Sequence, residues 1–417
     1  MKIAILTSGR FHVLDLAREL DRRGHDVRFY SLVPPWRTRR HGLPLRNNRW
    51  LGPALGPLWL AYRGLSRLPR PELGTLAHRA LTEALDRTAA ILLEPCDVFI
   101  TMSGMGLHTL RRARRLGAHT IVERGSMHIE AQRDILAANR LGAIPDWMVQ
   151  RELAEYAEAD HISIPSLHAE QSFRERGHEH GLFRNPYGVS LTEFSPTPEP
   201  ARRQILMVGT WSWQKGADTL TEADRLLKQR PDFHDVALVH VGPTGDVPLP
   251  TLDDPPRNGV ASRRGTIGDI PLPTQPRSGV VSRLRISGFT HHAPVPQAEL
   301  QRFYADATVA VLPSRQDGFG MVLCQALACG VPIVASTRTG GPDLAALLST
   351  PNAVRLVPPE SPQALADALA DALTQRPAPG TTRALLNDTE RRAMSWEGYG
   401  RRWDAFLRAL PAHRDSR

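Results

Sequence analysis

Residues 314–330 read SRQDGFGMVLCQALACG. The apolar run 309–312 leads into this stretch, and a second apolar run, 331–335, follows it. A short apolar run, a turn holding Gly318 and Gly320, a helical segment and another apolar run make the βαβ unit of an α/β protein. Glycines in such a turn permit unusual dihedrals and close approach of a ligand to the backbone. Unpaired N–H groups at the start of the following helix then favour an anion. An ordinary tight βα turn looks the same, so the rest of the chain has to decide what this one does.

Moving outward, 336–342 (STRTGGP) forms a second glycine turn able to line the same cleft. Upstream, 204–208 reads as a strand and opens onto GTWSWQKG at 209–216. A helix follows over 217–229, with Leu220, Ala223, Leu226 and Leu227 on one face. Lys215 lies just before that helix, where a cation opposes the dipole by a few tenths to about 1 kcal/mol unless an anion is bound. Lys2, Lys215 and Lys228 are the only lysines among 52 basic residues, so arginine dominates by a chain-wide bias. A lysine kept at this position points to a bound phosphate. Further strands are expected at 236–241, 284–289 and 353–357, with helices at 297–306 and 365–373, the latter capped by Ser361, and a final amphipathic helix at 396–410.

Within this second half the pattern breaks over 245–284. GDVPLPT at 245–251 recurs as GDIPLPT at 268–274, and PRNGVASR at 256–263 recurs as PRSGVVSR at 276–283. Two copies are too few for a solenoid, and the segment reads as a surface insertion.

The first half repeats the α/β logic. Strand 2–6 turns through Thr7, Ser8, Gly9 and Arg10 into a helix at 12–23, and 26–30 is the next strand. The turn is not G-x-G-x-x-G, so it is no dinucleotide fingerprint, but Gly9 still stands at a strand's carboxyl end. Strand 118–122 opens onto Glu123, Arg124, Gly125, Ser126, Met127 and His128; Glu123, Arg124 and His128 are site candidates on that ground. Strand 160–165 precedes Ser166, a helix cap. The proline-rich 195–200 (SPTPEP) is the linker. Residues 31–71 stand apart, with eight arginines, no acidic residue and Trp36, Trp50 and Trp59, broken by proline and glycine into short pieces. They fit either a solvated loop with core tryptophans or a contact with an anionic membrane surface.

The 417 residues suggest two or three domains, and 41% hydrophobic with 23% charged residues is a globular composition. The net charge of +9 comes with no nucleic-acid-binding motif. Three cysteines, Cys96, Cys324 and Cys329, give no C-x-x-C and no paired framework, which fits a reducing compartment. No apolar run approaches a spanning helix, and the N-terminal run is too short for a signal peptide, so a cytoplasmic location is expected.

Taken together, VGTWSWQKGADTLTEA at 208–223, VLPSRQDGFGMVLCQALACGVPIVAS at 311–336 and TGGPDL at 339–344 resemble the retaining GT-B glycosyltransferases of the GT4 group. ERGSMH at 123–128, EYAEADHISIPS at 155–166 and NPYGVSLTEFSP at 185–196 are similar to the same group. The resemblance implies two Rossmann-like domains facing a central cleft. The expected organisation is an acceptor domain at 1–196, a nucleotide-sugar domain at 203–385 carrying the 245–284 insertion, and a C-terminal helical segment at 386–417 that packs back on the first domain.

The resemblance also implies transfer of a sugar, of hexosyl type, from a nucleotide-sugar donor to an acceptor with retained configuration and no metal or other cofactor. The acceptor is expected to be a lipid-linked or cell-surface glycan, as in polysaccharide biosynthesis, or a small natural product. Lys215 matches the lysine that neutralises the diphosphate leaving group. Asp317 matches the first acid of the family's E-x7-E motif, which holds sugar hydroxyls. Gly209 and Thr210, and Gly318, Phe319, Gly320 and Met321, are placed at the donor, with Gly9 facing the cleft. Gln325 stands where the motif's second acid holds the ribose, and Thr210 where an arginine is usual, so that either Arg315 or Arg338 supplies that charge or the site is less cationic. Arg124 and His128 are the nearest match to the family's N-domain histidine. A non-hydrolysing UDP-sugar epimerase and a nucleotide-sugar-binding pseudoenzyme are the other readings, the second motivated by Gln325 and Thr210.

Overall fold

The computed structural model describes residues 1–68, 70–139, 143–250, 284–286 and 288–411. Most of the duplicated insertion, 251–283, lies outside the described residues. The first half runs β1 (Lys2–Thr7), α1 (Phe11–Arg22), β2 (Asp26–Ser31), α2 (Pro35–Arg40), β3 (Asn48–Trp50), α3 (Gly52–Leu65), α4 (Pro71–Leu92), β4 (Val98–Met102), α5 (Leu107–Arg115), β5 (His119–Glu123), α6 (Ile129–Ala138), α7 (Asp146–Glu158), β6 (His161–Ile164), α8 (Leu167–Arg174) and β7 (Leu182–Arg184). Among the described residues these strands form a parallel sheet in the order β3-β2-β1-β4-β5-β6-β7.

The second half runs β8 (Gln204–Val208), α9 (Ala217–Lys228), β9 (Ala237–Val241), β10 (Leu284–Ile286), β11 (Phe289–His292), α10 (Leu300–Asp306), β12 (Val309–Leu312), α11 (Met321–Ala328), β13 (Ile333–Ser336), α12 (Gly341–Leu347), β14 (Val354–Val357), α13 (Pro362–Thr374), α14 (Asp388–Met394) and α15 (Trp396–Arg408). Its sheet order is β10-β11-β9-β8-β12-β13-β14, parallel except for the β10–β11 pair. Strands such as β12 are buried along their whole length, which is why they read as continuous apolar runs.

Among the parallel strands of each sheet the order reverses once, between β1 and β4 in the first and between β8 and β12 in the second. Ligands of open α/β sheets bind outside the carboxyl ends of the strands at such reversals. The glycine turns after β8 and β12 therefore flank one crevice.

Three expectations change. Residues 31–51 are the expected short pieces, but 52–65 are not: α3 is a fourteen-residue helix with Pro53 in its first turn and Pro57 inside it. A proline in the first turn loses no intrahelical bond, and the second removes only one. Residues 284–289 are not one strand, because Gly288, at φ +84, turns β10 back against β11. Ser361 stands at the N-cap of α13 but makes no side-chain cap bond, whereas Ser166 Oγ does accept from the Ala169 N–H at 3.2 Å. At the end of the chain α15 lies on α1 of the first domain. There His25 bonds Asp404 at 2.8 Å, and Arg402 grips Asn185 Oδ1 and the Pro186 carbonyl.

Candidate active site

The loop after β8 and the loop after β12 are fastened together along their length. The Arg315 N–H donates to the Gln214 carbonyl at 2.9 Å, and Gln214 Nε2 donates to Gln316 Oε1 at 2.7 Å. Gly216, at φ +74, sits so close to the Pro313 carbonyl that a Cβ would overlap it. The result of this fastening is that Lys215 Nζ reaches Asp317 Oδ2 at 2.5 Å. Both side chains are partly open, 25% and 14% exposed, so the pair faces the crevice rather than the core. The third loop joins through its backbone: the Asp317 N–H donates to the Arg338 carbonyl, and the Gly340 N–H to the Phe319 carbonyl.

The first domain closes over this turn. Ser166 Oγ donates to the Gly318 carbonyl at 2.6 Å, and Gln316 Nε2 to Ser126 Oγ at 2.8 Å. Asp343 accepts the Leu167 N–H at 3.0 Å and the Arg184 guanidinium at 2.7 Å. A Cβ on Gly318 would overlap the Gly125 carbonyl oxygen, so glycine is required at 318 by a contact between domains. Gly209, at φ +134, presents its carbonyl to His240 Nε2 at 2.8 Å, and Thr210 follows it with its methyl beside Gly245. Gly9 lies in a turn closed by Thr7 Oγ1 at the reversal point of the first sheet.

Several expected site residues have other posts. His128 is buried, its Nδ1 accepts the Glu130 N–H as the N-cap of α6, and its ring packs on Tyr156 and Phe173. Burial, with His178, Arg176 and Arg124 nearby, pulls its pKa down to about 3, so it is a neutral core residue. Arg124 is also buried, and its charge is met by Glu152 at 3.1 Å while its Nε donates to the Met127 carbonyl. Phe319 is buried against Gly340 and Tyr187, and Met321 packs partly buried on the core, so their side chains support the turn.

Gln325 is likewise buried, and its Oε1 accepts the Tyr304 hydroxyl at 3.0 Å. An amide suits that site because a carboxylate there would be stripped of water. Arg315 is not a free cation: Asp218 binds it through both nitrogens, Glu360 takes its Nε at 2.8 Å, and its guanidinium stacks 4.1 Å from the Trp213 ring centre. Arg338, exposed and without an acidic partner among the described residues, is the arginine open to a ligand.

Two histidines enter that were not anticipated. His12, in the first turn of α1, bonds Glu123 Oε1 at 2.8 Å and packs on Tyr187 with the ring planes tilted and the ring centres 4.3 Å apart. Glu123 is 1% exposed and its Oε2 has no partner. Phe11, just before His12, has φ +33, a strained value for a non-glycine residue, and such strain gathers at functional sites. The other is His168 on α8, whose Nε2 is buried without a partner. Burial holds its pKa down to about 4, Arg338 adds to that, and Asp317 opposes it. The available signal for both was a histidine one turn after a strand's carboxyl end. Among the described residues no three His, Cys, Asp or Glu side chains gather as a metal cage.

Residues 202–375 match the family described as Glycosyl transferases group 1. It is the second domain of the chain that carries this likeness to the group 1 glycosyltransferases. The D-inositol 3-phosphate glycosyltransferase of Arthrobacter sp. (strain FB24) is 31% identical over 166 residues, which are 37% of this chain and 34% of the relative. That of Kribbella flavida is 29% identical over 210 residues, 47% of this chain and 43% of the relative. The match thus spans less than half the length of these relatives.

Solved structures extend the likeness to the whole fold. Sucrose-phosphate synthase from Thermosynechococcus elongatus superposes with a TM-score of 0.63 at 19% identity, covering 98% of each chain. Anabaena HepE in complex with UDP-glucose gives 0.60 at 14% identity, covering 98% of this chain and all of the other. The fold is therefore GT-B, two Rossmann-like domains with a cleft between them.

Proposed function

We propose that this chain transfers a sugar from a nucleotide-sugar donor bound by the second domain to an acceptor bound by the first. The observation that carries the reading is the Lys215–Asp317 pair at the reversal point of the second sheet. Without a ligand the two side chains neutralise each other. A nucleoside diphosphate competes for Lys215, and a lysine held in a low-dielectric crevice stabilises the charge that develops on the leaving phosphate. Asp317, once released, accepts hydrogen bonds from sugar hydroxyls. Arg338 adds a second positive charge at the same crevice. His12, oriented by Glu123, faces the donor turn from the acceptor side, through Gly125 and its contact with Gly318.

The likeness to proteins solved with UDP-glucose and with UDP-2-fluoro glucose supports a uridine diphosphate sugar as the first donor to try. Hexosyl transfer, retained anomeric configuration, a glycan acceptor and a cytoplasmic place of action belong to the same proposal and rest on the family resemblance. No helix among the described residues is long and apolar enough to cross a membrane. The test is a thermal-shift panel of nucleoside diphosphates and nucleotide sugars, since a ligand of the native state raises its apparent stability. Stabilisation by one diphosphate and its sugars supports the reading; no shift with any of them removes it.

A further inference from the structure

The chain's most one-sidedly basic segment, 31–71, builds a surface that the transfer site does not use. Of the fourteen residues of α3 only Leu55 is buried. Pro53, Ala54, Pro57, Leu60, Ala61 and Gly64 are exposed. At about 100° per residue they fall within roughly one third of the helix circumference. None carries a polar side chain, and Leu60 is 63% exposed. A helix that turned this face to water would carry charged residues on it.

The flanks of the face are cationic and aromatic. Before it, Trp36 is 58% exposed and rests on Trp50, against whose indole the start of α3 is packed at Gly52. Arg37, Arg39 and Arg40 are exposed on that side, and Arg67, Leu68 and Arg70 are exposed beyond the other end. None of these five arginines pairs with an acid among the described residues. Arg63 leans over the Trp59 ring at 4.8 Å, keeping its charge at the rim of the apolar face.

We propose that α3 and its flanks dock the protein on an anionic membrane surface. The apolar face enters the boundary between headgroups and acyl chains, Trp36 sits at headgroup depth, and the arginines bind lipid phosphates. The charge pattern selects this occupant over a second copy of the chain. Two copies joined through α3 would face arginine with arginine, whereas a leaflet of anionic lipid neutralises all of them. The proposal does not depend on which sugar or acceptor the cleft takes, and it places the first domain against a lipid surface.

Flotation of the full chain with phosphatidylcholine vesicles, with and without phosphatidylglycerol, tests it. Binding is expected with the anionic vesicles at low salt and to fall as salt is raised. The triple variant Arg37→Glu, Arg39→Glu, Arg40→Glu should lower partitioning by about 100-fold or more. Leu60→Glu should lower it with little change in melting temperature, because Leu60 is 63% exposed and has little packing to lose. No flotation with anionic vesicles, or equal flotation of the triple variant, overturns the proposal. So does a concentration-dependent dimer in light scattering that Leu60→Glu abolishes, which would give the face to a second copy.

Discussion

Lys215 Nζ lies 2.5 Å from Asp317 Oδ2, although the residues are 102 positions apart and come from different βα loops. Each is the other's counter-ion until a ligand arrives. Lys215→Ala should therefore lower turnover by about 100-fold or more once a donor is identified, with a smaller effect on nucleotide affinity. The pair is part-exposed, so its loss should cost no more than about 1 kcal/mol of stability. Steady-state kinetics beside a thermal melt checks both; unchanged kcat would remove the role.

Gly318 lies at one of the tightest contacts between the domains, against the Gly125 carbonyl. Gly318→Ala places a methyl on the Gly125 carbonyl and must push the domains apart. A larger radius of gyration in solution scattering is expected, together with a fall in turnover of roughly 100-fold from misplaced groups. Donor binding should persist, because Gly318 is not needed to hold the second domain's own loops together. An unchanged radius with normal turnover would mean that the contact does not govern closure.

The two histidines of the first domain should part company. His12→Ala should lower turnover by about 100-fold, and Glu123→Gln should lower it by weakening the bond that orients the ring. His128→Asn keeps a capping side chain and should leave turnover near neutral pH intact. The stability effect of His128 lies in acid. Its folded pKa of about 3 is below the value of an unfolded histidine. The unfolded chain then binds the extra proton, and stability is lost as pH falls from about 6.5 toward 3. The asparagine variant should show a shallower fall in melting temperature over that window. Parallel melting curves would place His128 in water.

Restoring the acid at 325 should do harm. Gln325→Glu puts a carboxylate beside the buried Tyr304 hydroxyl, at a cost of about 1–3 kcal/mol. A lowered melting temperature, with no gain in donor affinity, is the expected result. Tighter donor binding at unchanged stability would show that residue 325 reaches the ribose after all.

Much of this architecture is legible in the chain because it is local. A strand buried on both faces must be an apolar run, as 204–208 and 309–312 are, and a turn at a strand end must carry glycine, as at 216 and 320. Those patterns alone separate two Rossmann-like halves and pick out Lys215, while Asp317 takes its expected role from the family resemblance. What they cannot encode is which loops meet, since that depends on where the strand order reverses. Only the folded sheet brings the loops after β8 and β12 together, joins Lys215 to Asp317, and spends the charge of Arg315 on Asp218 and Glu360. Burial is decided in the same way. It takes His128 and Gln325 out of the cleft, brings His12 to Glu123, and leaves the apolar face of α3 uncovered, because exposure is a property of neighbours that the tertiary structure alone supplies.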